Sequence, residues 1–314
     1  MNGSSMGESS MNQSSMNESG MIESRSARLA EVFATVRSQG RAALIGYLPA
    51  GFPTHQGSID ALLAMVDAGV DIVEVGLPYS DPLMDGPTIQ AATEIALRNG
   101  NTTADSLRVV AAVARTGAPT LVMTYWNLVE RYGVERFAGD LADAGGAGMI
   151  TPDLTPEEGG AWFEAAKAHD LDRVLLVAPS STEERLRIVT AASSGFVYAA
   201  STMGVTGART SLSGAAEALV ARTRVVTDLP IAVGLGVSSG EQAAAVASFA
   251  DGVIVGSAFV RCLLDASTPA AGIDAVTQLA RELARGVRQG GVREAGVRQA
   301  GVRQAGVQQD GVRA

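Results

Sequence analysis

Three carboxylates follow one another closely in the segment IVEVGLPYSDPLMDGP, residues 72–87. Glu74 lies in an apolar run typical of a buried strand, whereas Asp81 and Asp85 lie in the turn after it. Burial raises the pKa of a carboxyl group and keeps it partly protonated near neutral pH, as general acid–base catalysis requires. We therefore expect Glu74 to exchange protons with a substrate. The alternative is a structural glutamate satisfied by neighbouring backbone groups.

Asp85 also has two interpretations. It precedes Gly86 and Pro87, and proline is common at the first position of a helix. On spacing alone, Asp85 is as well suited to approach a helix N-terminus as to act on a substrate.

Glycines follow the later apolar runs, where a parallel α/β fold places loops that bind ligands. They are Gly204 and Gly207 in GVTGA, Gly234 and Gly236 in VGLGVSSGEQ, and Gly256, followed by Ser257, in IVGSAFV. Small residues let backbone N–H groups approach an anion, and the dipole of a following helix favours it. The pattern favours a phosphate site, with tight turns between strands and helices as the alternative.

The scarcity of lysine and histidine excludes two kinds of aldolase. Lys167 is the one lysine and lies on the exposed side of a predicted helix, so a Schiff base inside the protein is not expected. His55 and His169 are the two histidines, and they flank different helices, so no zinc cluster forms. No GxGxxG motif opens a helix after a strand. Of the chemistries considered, the one that remains is acid–base catalysis by carboxyl groups on a small phosphorylated substrate, without metal or cofactor.

Composition narrows the class of protein. The chain has 314 residues, of which 46% are hydrophobic and 18% charged, as in an α/β protein with a large core. A net charge of −9 argues against nucleic acid or an anionic membrane as a partner. We find no apolar run of membrane-spanning length and no secretory signal, and Cys262 alone makes no internal disulfide. We expect a cytoplasmic protein.

Eight short apolar runs alternate with longer amphipathic segments. They begin near Ala42, Asp71, Pro119, Ala147, Arg173, Gly195, Pro230 and Gly252. Eight such units predict a (β/α)8 TIM barrel, and a doubly wound parallel sheet is the competing architecture. The two longest spacings follow the second and sixth runs, so we expect the chemistry in those loops.

Both ends of the chain carry five-residue repeats. Methionine recurs every five positions in residues 1–24, and GVRQA-like units fill residues 286–314. A period of five fits neither an amphipathic helix nor a strand, and the repeated glycine lowers helix propensity. We predict disordered tails at 1–24 and 286–314 around a barrel domain of residues 25–285.

Six segments, in this order, resemble the α subunit family of tryptophan synthase. They are VEVGLPYSDPLMDGPTIQ, MTYWNLVERYG, PDLTPEE, STMGVTGAR, GLGVSS and GVIVGSA. The resemblance covers roughly Arg25 to Arg285 and leaves out both tails.

The resemblance implies a (β/α)8 barrel that cleaves indole-3-glycerol phosphate to indole and glyceraldehyde 3-phosphate by a retro-aldol step. By motif position, Glu74 is the family's acid–base glutamate, and Asp85 accepts the indole N–H. Tyr198 and Tyr47 would line the site, and Thr206 would close on Asp85. The phosphate positions would be Gly207, Gly236, Gly256 and Ser257.

The resemblance also implies a partner. Pro78, Asp81 and Asn127 match positions that face a β subunit, whose pyridoxal phosphate joins indole to serine within an α2β2 tetramer. This chain would need no cofactor of its own.

Some residues depart from the family pattern, and other functions stay open. Pro49 and Phe52 replace a threonine and an aspartate common in the first loop, which puts its polar contacts in doubt, and Thr155 stands where a proline is common. The alternatives are a stand-alone lyase that releases indole, a non-catalytic activator of the β subunit, and another phosphate-binding barrel such as an epimerase. Intact Glu74 and Asp85 speak against the last two.

Overall fold

Eight parallel strands close into a barrel in the computed structural model of this chain, which describes residues 25–81, 84–200, 209–234 and 236–305. Each strand pairs with the next, and the last pairs with the first. The strands are β1 Ala43–Pro49, β2 Ile72–Gly76, β3 Thr120–Met123, β4 Gly148–Thr151, β5 Asp172–Val177, β6 Val197–Ala200, β7 Ile231–Gly234 and β8 Gly252–Val255. This confirms the TIM barrel, and every strand begins within two residues of its predicted position.

Helices surround the barrel and connect its strands. They are α1 Arg25–Ser38, α2 His55–Asp67, α3 Pro87–Arg98, α4 Thr103–Ala114, α5 Trp126–Tyr132, α6 Val134–Asp143, α7 Gly160–Ala168, α8 Glu183–Ala192, α9 Arg209–Arg224, α10 Gly240–Ala247, α11 Ser257–Leu264 and α12 Pro269–Ala305. Within the described ranges, none of them has the length and apolar character needed to cross a bilayer.

The first helix packs against one end of the barrel. Leu29 and Phe33 of α1 belong to the same buried cluster as the barrel-lining residues Ile45 and Ile72. The ring centroid of Phe33 lies 5.7 Å from that of Phe196, the residue before β6. Because Phe196 precedes its strand, α1 covers the N-terminal end of the barrel. The C-terminal end is left for a site, as in other barrels of this type.

The C-terminal segment differs from the predicted disordered tail. The helix α12 passes through residue 286 without a break, and Val287 is 1% exposed within the main hydrophobic cluster. Gly286 and Gly290 lie against the backbone of α10 at Gly240 and Ala244, where any Cβ would collide. Glycine here permits close helix packing, and burial outweighs its low helix propensity. The predicted tail of residues 1–24, and residues 306–314, lie outside the described residues.

Shortening the chain at two points tests this boundary. A chain that ends at Arg285 loses the buried Val287 and the packing of α12 on α10. We expect its free energy of unfolding to fall by at least about 1.5–3 kcal/mol, the value of one buried valine. A chain that ends at Gly291 keeps both features and should lose much less. Urea unfolding of the two shortened chains measures the difference, and equal stabilities would contradict this boundary.

Candidate active site

Glu74 lies inside the barrel. Its neighbours Val73 and Val75 belong to the main hydrophobic cluster, whereas Ile72 belongs to the barrel-lining cluster. Because side chains alternate along a strand, Glu74 points inward with Ile72. The side chain is 0% exposed, and neither carboxyl oxygen has a hydrogen-bond partner among the described residues. The alternative of a glutamate satisfied by backbone groups therefore has no support in the part of the chain that the structure describes.

The burial of Glu74 changes its chemistry. Removal from water disfavours the charged form and raises the pKa of this carboxyl to about 8, from an ordinary value of 4.5. Glu74 is therefore largely protonated at neutral pH. It can donate a proton to a bound molecule and take one back, as general acid–base catalysis requires.

Asp85 does not cap the helix that follows it. The N-cap of α3 is Gly86, with Pro87 in the first turn and no side-chain cap hydrogen bond. The backbone carbonyl of Asp85 accepts a hydrogen bond from Gln90 Nε2 at 2.8 Å. The residue is half-buried, and burial raises the pKa of its carboxyl group. The carboxyl group of Asp85 therefore does not cap α3 and can serve another role.

Two tyrosines share a compartment with these acids. Tyr47 of β1 pairs in register with Glu74 of β2, and Tyr198 lies on β6. Burial raises the pKa of both phenols, and the negative charges of Asp85 and Glu74 raise it further. Both carboxyl groups therefore lie close enough to influence each phenol at the C-terminal end of the barrel.

Glycines make room for the two aromatic rings. A Cβ at Gly76 would collide with the Tyr47 hydroxyl, and one at Gly256 would lie 3.1 Å from Tyr47 Cδ1. A Cβ at Gly234 would lie 2.6 Å from the Tyr198 hydroxyl. The sequence did not indicate these roles for Gly76 and Gly234. The one available signal was a glycine as the last residue of both β2 and β7.

Three of the predicted phosphate residues, Gly236, Gly256 and Ser257, lie at the same end of the barrel. Gly256 is the N-cap of α11 without a side-chain cap bond, and Ser257 is the first residue of that helix. Gly236 is exposed with φ at 66°, in the left-handed region that favours glycine. Backbone N–H groups at the start of α11 suit an anion. Thr206 and Gly207 lie outside the described residues.

The three predicted partner-facing residues differ in exposure. Asp81 is exposed and accepts a hydrogen bond from Ser80 Oγ at 2.6 Å. Asn127 is exposed and donates to Tyr79 Oη at 3.1 Å. Pro78, in contrast, is buried within this chain. A docking surface at the rim would therefore use Asp81 and Asn127.

The lysine and the two histidines lie on or beside the helices that surround the barrel. Lys167 is exposed on α7, away from the barrel interior. His55 begins α2, and His169 Nε2 lies 3.0 Å from Glu135 Oε1. In the described ranges, no group of three or more histidine, cysteine or acidic side chains is arranged to hold a metal ion.

Comparison with known proteins identifies the family. Residues 33–288 match the family described as tryptophan synthase alpha chain. The tryptophan synthase alpha chain of Nocardia farcinica is 62% identical over 265 residues, which cover 84% of this chain and 97% of the relative. That of Streptomyces avermitilis is 59% identical over 267 residues, covering 85% of this chain and 96% of the relative. The chain belongs to the tryptophan synthase alpha chain family.

Solved structures agree with this membership. A structure of Mycobacterium tuberculosis tryptophan synthase in space group F222 aligns with a TM-score of 0.78 at 56% identity, covering 83% of this chain and 98% of that one. The alpha subunit from Legionella pneumophila strain Paris aligns with a TM-score of 0.76 at 29% identity, covering 83% and 98%. The family match ends at residue 288 and so includes Val287 of α12.

The first loop shows what one departure from the family pattern does. Phe52, in place of the expected aspartate, is 1% exposed and belongs to the main hydrophobic cluster. Asn99 Nδ2 donates to the carbonyl oxygens of Gly51 at 3.3 Å and Pro53 at 2.8 Å. The loop is thus fixed by a buried ring and by an amide that follows α3.

The pKa of Glu74 predicts a pH-dependent stability. Because the folded pKa of about 8 exceeds the ordinary 4.5, the contribution of Glu74 is complete below about pH 4.5 and is lost as pH rises through about 8. The Glu74→Gln variant isolates this contribution because the amide does not titrate.

We expect the free energy of unfolding of the parent, minus that of the variant, to fall by up to about 1.4 kcal/mol per pH unit between about pH 4.5 and pH 8. Asp172, whose pKa burial raises to about 6, is common to both proteins and cancels. Unfolding at several pH values measures the difference, and a pH-independent difference would contradict the shift.

Proposed function

We propose that Glu74 and Asp85 cleave indole-3-glycerol phosphate to indole and glyceraldehyde 3-phosphate. Membership of the tryptophan synthase alpha chain family supports a lyase with this reaction. The observation that carries the assignment is the buried carboxyl of Glu74, which has no hydrogen-bond partner among the described residues and shares a compartment with Asp85. A ligand bound in this compartment would supply the hydrogen-bond partner that the Glu74 carboxyl lacks.

The proton balance of the reaction needs one acid that also serves as a base. Protonated Glu74 donates to indole C3, which gives a cationic ring that can leave as neutral indole. The carboxylate so formed then takes the proton of the glycerol hydroxyl next to the scissile bond. The C–O bond becomes a carbonyl, and the electron pair of the C–C bond returns to the ring. One proton enters and one leaves, so the cleavage consumes neither water nor a redox partner.

Asp85 stabilises the cationic intermediate in this scheme. Protonation at C3 places positive charge on the indole nitrogen, and a carboxylate that accepts its N–H hydrogen bond lowers the energy of that charge. Charge-assisted hydrogen bonds are roughly twice as strong as neutral ones. Tyr47 and Tyr198 supply aromatic walls for the ring.

The phosphate of the substrate binds at the start of α11. Gly256 and Ser257 present backbone N–H groups there, and Gly236 from the loop after β7 approaches without a side chain. We propose that Gly207, in the loop after β6, also binds the phosphate and that Thr206 in the same loop closes on Asp85. Such loops exclude water during the reaction and can limit turnover.

A β subunit is the proposed partner, in an α2β2 tetramer located in the cytoplasm. It would bind over the exposed Asp81 and Asn127, next to Met84, whose apolar side chain is 56% exposed. Indole would pass to the β subunit, and its pyridoxal phosphate would join indole to serine. The chemistry assigned to this chain uses carboxyl groups and needs no cofactor.

Titration with a β subunit tests the function and the partnership together. We expect the chain to release indole from indole-3-glycerol phosphate slowly alone and about 5- to 150-fold faster with the β subunit, the usual range of allosteric coupling. Asp81→Ala should reduce this activation and leave the basal rate unchanged. Asp67→Ala is the control, because Asp67 is an exposed aspartate at the other end of the barrel.

The outcomes separate the alternatives. Full activation of Asp81→Ala would remove this carboxylate from the interface. Fast release by the chain alone, with no activation, would favour a stand-alone lyase. No release under either condition would contradict the proposed reaction.

A further inference from the structure

Tyr125 links the loop after β3 to the loop that carries Asp85. It follows β3, precedes the first residue of α5 and is 6% exposed. Its hydroxyl oxygen accepts a hydrogen bond from the backbone N–H of Met84 at 3.0 Å. Burial raises the pKa of the Tyr125 phenol, and the backbone N–H groups of Met84 and, less strongly, Asp85 lower it.

The backbone of Asp85 is thereby held from two sides. On the amide side the Tyr125 hydroxyl accepts from the Met84 N–H at 3.0 Å, and on the other side Gln90 Nε2 of α3 donates to the Asp85 carbonyl oxygen at 2.8 Å. The first contact joins residues 41 positions apart in the chain, whereas the second is local to the start of α3. Tyr125 therefore connects the loop after β2, which carries Met84 and Asp85, to the segment that follows β3.

Tyr125 is itself held in place by its surroundings. The N–H of Trp126, the next residue, donates to both carboxylate oxygens of Asp153 at 3.0 and 3.1 Å. The ring of Tyr79 packs on the Tyr125 ring with centroids 5.1 Å apart, and Tyr79 Oη accepts a hydrogen bond from Asn127. Asp153 thus holds the backbone next to Tyr125, and Tyr79 packs on its ring, so the Tyr125 hydroxyl is held where it can anchor the loop it binds.

We propose that Tyr125 is a positioning residue that aligns Asp85 with the substrate by fixing the backbone of Met84 and Asp85. This rests on the proposed function, in which the Asp85 carboxylate accepts the indole N–H. Tyr125 acts through Asp85, and its hydroxyl takes no part in proton transfer.

Removal of the hydroxyl should affect turnover more than binding. Tyr125→Phe keeps the ring and its packing but leaves the backbone N–H of Met84 without its acceptor. Misplacement of a catalytic group by about 1 Å can cost about 100-fold in rate, so we expect kcat to fall by about 10- to 100-fold. KM should change little, because the proposed phosphate contacts are at the start of α11, which follows β8, whereas Tyr125 follows β3.

The experiment is a double-mutant cycle on the full chain. Indole release from indole-3-glycerol phosphate is measured for the parent, Tyr125→Phe, Asp85→Asn and the double variant, with thermal unfolding to show that each is folded. Tyr132→Phe is the matched control, since Tyr132 is the last residue of α5, the helix that Tyr125 precedes, and donates its hydroxyl to Asp140 at 2.6 Å. If Tyr125 acts through Asp85, the double variant is no slower than Asp85→Asn alone.

Each outcome decides one question. A large kcat loss in Tyr125→Phe, absent in Tyr132→Phe and not added to that of Asp85→Asn, supports positioning. A parental rate in Tyr125→Phe, or losses that multiply in the double variant, would overturn it. A parental rate in Asp85→Asn would instead overturn the proposed function, so the two failures are distinguishable.

Discussion

Glu74→Gln should stop indole formation almost completely while substrate still binds. The amide keeps the shape of the side chain and its hydrogen-bonding capacity, but it cannot donate a proton and take one back. Loss of general acid–base catalysis costs about 10²- to 10⁴-fold, and the loss should lie at the upper end because one group serves two steps. Indole release under saturating substrate measures kcat, and equilibrium dialysis measures binding.

A matched substitution separates this effect from a general one. Glu164→Gln makes the same chemical change at an exposed position of α7 and should keep the parental rate. Turnover of Glu74→Gln within tenfold of the parent would remove Glu74 from the proton transfer. Loss of binding together with turnover would show instead that the carboxyl serves to hold the substrate.

Gly256→Val should raise KM by about 10- to 150-fold. A side chain at this N-cap would stand where the phosphate approaches the first N–H groups of α11, and hydrogen bonds to a charged group contribute about 1.5–3 kcal/mol each. The added Cβ would also press on the Tyr47 ring, at 3.1 Å from Cδ1. We therefore expect a smaller loss of kcat to accompany the rise in KM.

Gly160→Val is the control for a glycine replaced at a helix start. Gly160 begins α7, and a Cβ there would meet no atom within 4 Å. Its kinetics should match those of the parent. Unchanged KM in Gly256→Val, measured with folded protein, would place the phosphate elsewhere.

The inward position of Glu74 could be predicted because strand alternation is a local property. A carboxylate on the face shared by Ile72 must point into a parallel barrel, and the structure places it there at 0% exposure. The strand positions followed from the same kind of local pattern. The capping alternative for Asp85 was different, because only the backbone geometry shows that Gly86 is the N-cap.

Contacts between distant segments could not be predicted from local pattern. Gly286 and Gly290 lower helix propensity in isolation, yet they allow α12 to pack on α10. Tyr125 and Met84 are 41 positions apart, so no spacing rule joins them. Glycine at the end of a strand is common, and only the positions of Tyr47 and Tyr198 show why Gly76 and Gly234 carry no side chain.

The products formed from indole-3-glycerol phosphate in deuterated water test the central claim most directly. The full chain is supplied with this substrate, the two products are counted, and the indole is examined for deuterium at C3. We predict indole and glyceraldehyde 3-phosphate in equal amounts, with one solvent-derived deuterium at C3 and no such products from Glu74→Gln. Indole without deuterium at C3, or cleavage at the parental rate by Glu74→Gln, would contradict protonation of C3 by this carboxyl group.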